Sequence, residues 1–484
     1  MRKQYFGFIA LLFAAGFCMA SCSKEHPLVE EKPVDGYVIS IPAQAVGTRA
    51  VAEGDGEATA TFKTTENVYI YNQTTRTLDD ATLHPSTDEA FTILSGTLNK
   101  TYSEGNTLTV LYNTDSKGVV NYSAQDGSID HVVDAGTANV TVTSISGDNE
   151  ITTNVANIQN LQSIFRFQFR DASTNNLLSG IRFVRIFSED NKLQTQYNVL
   201  SDTPTYGTLT LSSSNNLDNN HSVYAGLRFA ANPGDAIVFQ VVTSDGKVYS
   251  GSKNAPSSGF VNGKFYTTTV DVNLYTFTVA EGKKVCFSPG DLGVDNGTYS
   301  FTEPFDTWGW KSNNAEKRVW FNYGEIASGL DICGINWRNL NSTTTSTTSP
   351  TPQEWNNVIT RTNMNDNVET FYRVTVDGRA NCLLLPPDET QSTDIGDDIR
   401  SGSVSDYKKY LGKGFVLLVS TGRAIYTNKL SWGMESQGFY WALWNNMSRN
   451  RTYFSWSASN TPSVSWASNQ FRMRVRLVHD VTAE

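Results

Sequence analysis

The chain has 484 residues and a net charge of −10, with acids and bases interspersed. Nothing in that balance attracts phosphate backbones, so nucleic acid is excluded as a partner. The length accommodates about two to four domains, and abundant Thr, Ser, Asn and Gly with scarce helical periodicity fit a mainly β exported protein.

The opening MRKQYFGFIALLFAAGFCMASCS has a basic head, Arg2 and Lys3, and an apolar run from Tyr5 to Phe17. That run is shorter than the roughly 20 residues of a membrane-spanning helix. Residues 1–21 therefore read as a secretory signal peptide. The small residues end at Met19-Ala20-Ser21-Cys22, which resembles a bacterial lipobox. Cys22 would be the lipidation site, and several acyl chains at about 0.8 kcal/mol per buried methylene give stable anchoring. A plain signal peptide with an incidental cysteine is the alternative. Ser23 rather than Asp after the cysteine does not favour inner-membrane retention, and Glu25 agrees with surface export, so the outer membrane is the expected location. No second apolar run reaches membrane length, which leaves the lipid as the membrane contact. Residues 22–36, with Pro27, Pro33 and Asp35-Gly36, read as a tether. Beyond Cys18 and Cys22 there remain Cys286, Cys333 and Cys382, an odd number that allows at most one disulfide. All three sit beside apolar residues and read as buried small hydrophobes rather than metal ligands.

Tyr37-Val38-Ile39-Ser40-Ile41 predicts a strand with Tyr37, Ile39 and Ile41 on one face, ending at Pro42. Gly47-Thr48-Arg49-Ala50 and the Gly-rich stretch after it form a protease-accessible setting for Arg49; a solvated loop arginine has the same composition. From Thr61 to Val272 short strands alternate with turn signals such as Asp126-Gly127 and Asp245-Gly246. Phe165, Phe167 and Phe169 share a face, with Arg166, Gln168 and Arg170 on the other. Ile237 to Val242 is a continuous apolar run and predicts a strand buried on both sides. Short strands at regular spacing suggest sandwiches, with a seam near Asn157: one domain over 37–156 and a second over 157–273.

The lipobox, the early strand before Gly47-Thr48-Arg49-Ala50, Val68-Tyr69-Ile70-Tyr71, Leu161-Gln162-Ser163-Ile164-Phe165-Arg166-Phe167 and the closing Asn262-Gly263-Lys264-Phe265-Tyr266-Thr267-Thr268-Thr269-Val270 together resemble the fimbrillin family, the lipoprotein precursors of type V pili. The resemblance covers residues 22 to 273 and lies in the order of weak motifs. It implies two transthyretin-like β-sandwich domains, export as a lipid-bound precursor, and cleavage between Arg49 and Ala50. It further implies release of the first strand and filling of the vacated groove by a strand of another pilus subunit. Strand addition satisfies both the apolar bed and the unpaired backbone.

All ten tryptophans lie between Trp308 and Trp466, which marks a further domain over 274–484. Ser342 to Pro352 is low in complexity and reads as an exposed loop. Glu354, Trp355, Val358 and Ile359 predict a short amphipathic helix. Cys382 to Leu385 and Gly414 to Val419 predict buried strands, and Met473 to Val478 alternates with Met473, Val475 and Leu477 inward. Val285-Cys286-Phe287-Ser288-Pro289-Gly290-Asp291-Leu292, Trp308-Gly309-Trp310, Asn336-Trp337-Arg338-Asn339-Leu340 with Glu354-Trp355, Leu384-Leu385-Pro386-Pro387-Asp388, Gly438-Phe439-Tyr440-Trp441 and Arg474-Val475-Arg476-Leu477-Val478 resemble a large paralogous domain of secreted gut-bacterial proteins. That resemblance implies an α+β, C-type-lectin-like fold.

No catalytic or cofactor constellation appears. The five histidines are scattered, there is no phosphate loop or nucleophile elbow, and Asp394, Asp397 and Asp398 lack calcium-loop spacing. Asp388-Glu389 and Trp444-Asn445-Asn446 are only distantly like a lectin calcium site. Neither an enzyme nor a bound metal is expected. Sugars stack on aromatic faces, and Trp432, Trp444, Trp456 and Trp466 are the candidate ligand contacts; Trp432, Trp456 and Trp466 lie among Ser, Asn and Gly, which predicts exposure. The expectation is a surface-exposed pilus subunit whose last domain is a tip adhesin for a glycan or protein ligand. A stand-alone glycan-binding outer-membrane lipoprotein is the alternative, distinguished by its N-terminus: Ala50 after assembly, Cys22 otherwise.

Overall fold

The computed structural model describes residues 36–46, 61–230, 236–305, 317–321, 325–326, 329–340, 353–362, 364–420, 423–425, 437–442, 450–468 and 471–481. The signal, Cys22, most of the tether, Arg49, Ala50, the 342–352 loop, Trp308, Trp310, Trp432 and Trp444 lie outside the described residues. The described chain is mainly β, as composition and patterning predict.

The first sheet runs in the order Thr77–Leu78, Val68–Asn72, Thr107–Tyr112, Gly136–Ile145, Ala156–Asn160, Tyr37–Val46, Phe91–Leu98, His84–Pro85, with Glu150–Thr153 beside both Tyr37–Val46 and Gly136–Ile145. Alternation sets the inward face. Thr92, Leu94 and Leu98 of one strand and Ala156, Ile158 and Asn160 of another are buried while their neighbours are exposed. Inward residues from every long strand meet in one core that includes Ile39, Val68, Leu94, Leu108, Val140 and Ile158. A single sheet can do this only by folding back over that core in the manner of a sandwich.

The change of sheet falls later than Asn157. Ala156–Asn160 still pairs with Tyr37–Val46 and Gly136–Ile145, and the second sheet starts at Ser163–Asp171. That sheet runs Thr203–Tyr206, Leu193–Asn198, Val223–Phe229, Ser163–Asp171, Phe265–Leu274, Val248–Asn254, Ala236–Thr243, Ile181–Ser188, Leu209–Ser212. Phe165, Phe167 and Phe169 enter its core as their alternation predicts. Val119–Asn121 crosses from the first segment to pair with Leu193–Asn198. Ala236–Thr243 is buried along its whole length. One face of it meets the second core through Ile237, Phe239 and Val241. The other face, through Val238 and Val242, meets the C-terminal unit.

The C-terminal unit combines small sheets with short helices at Gln353–Thr360, Asp397–Ser401 and Lys408–Leu411. The first helix forms where the pattern places it, with Trp355, Val358 and Ile359 buried on one stripe. Arg379–Leu385 pairs with Tyr372–Val376 and Val416–Leu418. Met473, Val475 and Leu477 point inward as expected, and the ladder itself lies at Val478–Val481, paired with Lys283–Phe287. Arg474 and Arg476, on the opposite face, are equally buried because they close on Asp291. Cys286 and Cys382 are buried and Cys333 half-buried, all as free thiols; burial pushes the Cys286 thiol up to about 12.

Candidate functional site

The Tyr37–Val46 strand lies in the interior of its sheet. It runs antiparallel to Phe91–Leu98 from Tyr37, opposite Leu98, to Gln44, opposite Phe91. On its other side it runs parallel to Glu150–Thr153 over Val38–Ser40, then to Ala156–Asn160 over Ala43–Val46. Ile39, Ile41 and Ala43 are 0% exposed, and Val38 and Ser40 face out. Each buried isoleucine stabilises the seated strand by about 1.5–3 kcal/mol.

The sequence reading stops this strand at Pro42, whereas the structure continues it to Val46. Proline is tolerated because Pro42 sits where one parallel neighbour gives way to the next. No ladder on that side needs an N–H from it.

Two walls close the groove. At its first end Tyr37 meets the edge of Tyr102, with ring centroids 5.6 Å apart. Burial first, then Asp79, pushes the Tyr102 phenol far above its ordinary value, so it stays protonated and donates to Asp79 at 2.8 Å. Buried Asp79 also accepts from the backbone N–H groups of Ala81, Asn99 and Lys100. At the far end the Ala45 N–H donates to the Ala90 carbonyl at 3.0 Å and the Phe62 N–H to the Glu89 carbonyl at 2.9 Å. The strand therefore ends, and the chain returns, at neighbouring residues. Every other strand of the sheet follows it in sequence, so residues 47–60 are its covalent link to them.

No protein-family model and no curated protein matches the sequence. Among solved structures, a candidate cell adhesion protein from Bacteroides uniformis is 15% identical with a TM-score of 0.32, over 50% of this chain and 97% of its own. The tip fimbrial protein Mfa3 from Porphyromonas gingivalis, with a C-terminal truncation, is 10% identical with a TM-score of 0.27, over 49% of this chain and 97% of its own. The shaft pilin SpaA from Lactobacillus rhamnosus GG, as a D295N mutant, is 12% identical with a TM-score of 0.22, over 49% and 99%. Similarity at this level assigns neither a fold nor a role.

The candidate ligand contacts are not brought together among the described residues. Trp456, expected to be exposed, is 2% exposed. Its indole N–H donates to the Asn381 carbonyl, and its ring stacks on Tyr440. The cause is the period of the Asn450–Ser457 strand: Phe454 and Trp456 share the core face, and the serines beside them are the alternate positions. Across the strand pair Gly438 has no side chain, and a Cβ there would collide with the Trp456 ring. Of Trp466 only the backbone, paired with Thr452, is described.

The acidic candidates are structural. Asp388 lies 3.0 Å from the buried Arg361 guanidinium and accepts from Thr278 at 2.7 Å, and Glu389 holds Thr276. Together they fasten the connector after Leu274 to the C-terminal unit. Asp394 pairs with Lys413 and Asp398 with Lys409. Among the described residues no group of three or more potential ligands is placed to hold a metal ion.

Sequence reasoning missed two features. Arg338, inside a quoted motif, grips Glu354 at 2.8 Å and Asp480 at 2.9 Å, so three separated stretches of the chain meet at one guanidinium. Asp291 gathers Arg474, Arg476 and Tyr440 in the interior. Motif order named all of these residues except Asp480; nothing in their spacing said that they touch.

Proposed function

We propose that this chain is a fimbrillin-like pilus subunit, exported as a lipoprotein anchored through Cys22 at the outer-membrane surface and assembled by strand exchange. Cutting between Arg49 and Ala50 frees the Tyr37–Val46 strand, and a strand of another subunit replaces it. One observation carries the reading: an interior strand on a mainly apolar bed is linked to the other described strands of its sheet through a single segment, 47–60. Removing it splits the sheet between Ala156–Asn160 and Phe91–Leu98 and leaves unpaired backbone on both sides. Because the seated strand is held strongly, a cut alone does not empty the groove; a competing strand must displace it.

We further assign the chain to the pilus tip. The resemblance of its C-terminal motifs to an adhesin-type domain supports that position, and Val478–Val481 is itself built into that unit against Lys283–Phe287. The C-terminal unit, whose motifs resemble C-type-lectin-like domains, is then the adhesive head. Trp432, Trp444 and Trp466 remain its candidate contacts for a glycan or protein ligand, and Trp456 does not. The test is N-terminal sequencing of protein sheared from the cell surface. Filament-borne protein should begin at Ala50, and protein that retains Cys22 throughout would defeat the assembly reading.

A further inference from the structure

The rows that flank the Tyr37–Val46 strand differ in the size of their side chains. At one end Ile39 lies between Gly96 and Ile151. Gly96 offers no side chain, and a Cβ there would stand 3.1 Å from the Thr82 carbonyl oxygen and 3.2 Å from Leu83 of the adjoining segment. The width of that row therefore falls to the side chain of the inserted strand, and Ile39 fills it to 0% exposure. At the next inward position Ile41 faces Leu94. At the third, Ala43 lies between Thr92 and Ala156, and all three are buried. That row is sealed from solvent with small side chains only, so a larger third residue must push its buried neighbours apart. Between the last two inward positions comes Pro42, opposite the break in the parallel ladder, where a residue without an N–H is accepted.

We infer that the groove selects its partner strand by side-chain size. The occupant is an extended segment whose alternate inward residues read large, large, alanine-sized, and whose residue before the small one makes no demand on the ladder. A segment with a bulky third residue overpacks the Thr92–Ala156 row, and one with a small first residue leaves a void beside Gly96. The outward positions, occupied here by the exposed Val38 and Ser40, carry no such restriction. This inference rests on the strand-exchange reading above and specifies which subunits can follow this one.

The test uses the full chain cut by trypsin at Arg49, a short urea pulse to loosen the released strand, and labelled peptides in place of a donor. A peptide of residues 37–46 should enter the groove, read by fluorescence anisotropy. Peptides carrying Ala43→Leu or Ile39→Ala should enter at least about tenfold less at equal concentration, while a Ser40→Lys peptide should match the unmodified one. The protein variant Ala156→Gly, which widens the small row, should recover part of the Ala43→Leu binding. Equal entry of the Ala43→Leu and unmodified peptides would overturn size selection and leave strand exchange standing. Failure of the unmodified peptide itself to enter would overturn both.

Discussion

Asp291 is enclosed with more positive charge than it can neutralise. Arg474 approaches at 2.6 Å and Arg476 at 3.3 Å, Tyr440 donates at 2.9 Å, and all four side chains are buried. Burial pulls the Arg476 guanidinium below its ordinary value, against the opposing pull of Asp291. Breaking such a pair from one side strands a charge in the interior, which costs about 3–5 kcal/mol. Asp291→Asn should therefore lower stability by about that amount, read from urea unfolding, although it removes no volume. The exposed pair of Arg338 and Asp480 behaves differently. Hydrogen bonds from Arg338 hold the Asp480 carboxyl below its ordinary value of 3.8. A depressed value means that the stabilisation is present above 3.8 and is lost as pH falls through the lower folded value. Asp480 is 60% exposed, so the contribution is small. The difference in urea midpoint between the parent and Asp480→Asn should be measurable near pH 6 and shrink progressively as the pH falls below 3.8.

At the scale of elements, the Tyr37–Val46 strand sets buried Ile39, Ile41 and Ala43 against exposed Val38 and Ser40. Ile41→Ala should cost about 2–5 kcal/mol, and Val38→Ser, at an exposed outward position, should stay within about 0.5 kcal/mol. Equal effects in urea unfolding would mean the strand is not seated as described. Its inward set was legible because alternation is a local property, and so were the phenylalanine face of Ser163–Asp171 and the stripe of Gln353–Thr360. Its end was not legible, because Pro42 ordinarily terminates a strand and only the change of neighbour from Glu150–Thr153 to Ala156–Asn160 excuses it. The seam slipped for a related reason: nothing local in Ala156–Asn160 says that its partner lies far back at Ala43. Trp456 misled because serines at alternate strand positions look like a solvated loop when the strand itself goes unrecognised. The convergence on Arg338 and Asp291 was beyond reach, since it depends on contacts between residues far apart in the chain.

At the scale of the molecule, the second sheet and the C-terminal unit share a core. Phe183, Val242 and Val248 belong to one apolar cluster with Cys286, Leu292, Phe301 and Trp337. Phe187 and Val238 belong to another with Ile399, Tyr410 and Phe415. Aromatic rings step across the junction, Phe183 to Phe301 at 5.6 Å and Phe301 to Trp337 at 5.1 Å. Arg185, on the same strand as Phe183, reaches over to donate to the carbonyls of Pro289 at 2.6 Å and Phe301 at 2.9 Å. The turn glycine Gly246 lies directly against the His479 ring, and a Cβ there would overlap it. Units joined by a short connector ordinarily move relative to one another unless their interface is large and apolar; here the interface is continuous with the interior. The C-terminal unit and the second sheet should therefore unfold together. Trp337→Ala, which opens a cavity worth about 3–5 kcal/mol on the C-terminal side, should accelerate amide hydrogen exchange in Ala236–Thr243 and Ile181–Ser188 of the second sheet. It should leave Val68–Asn72 of the first sheet, which belongs to a separate core, with much of its protection. If exchange rose only within the C-terminal unit, the two would be independent bodies, and force applied to the C-terminal unit would be taken up by a hinge at the connector instead of passing into the second sheet.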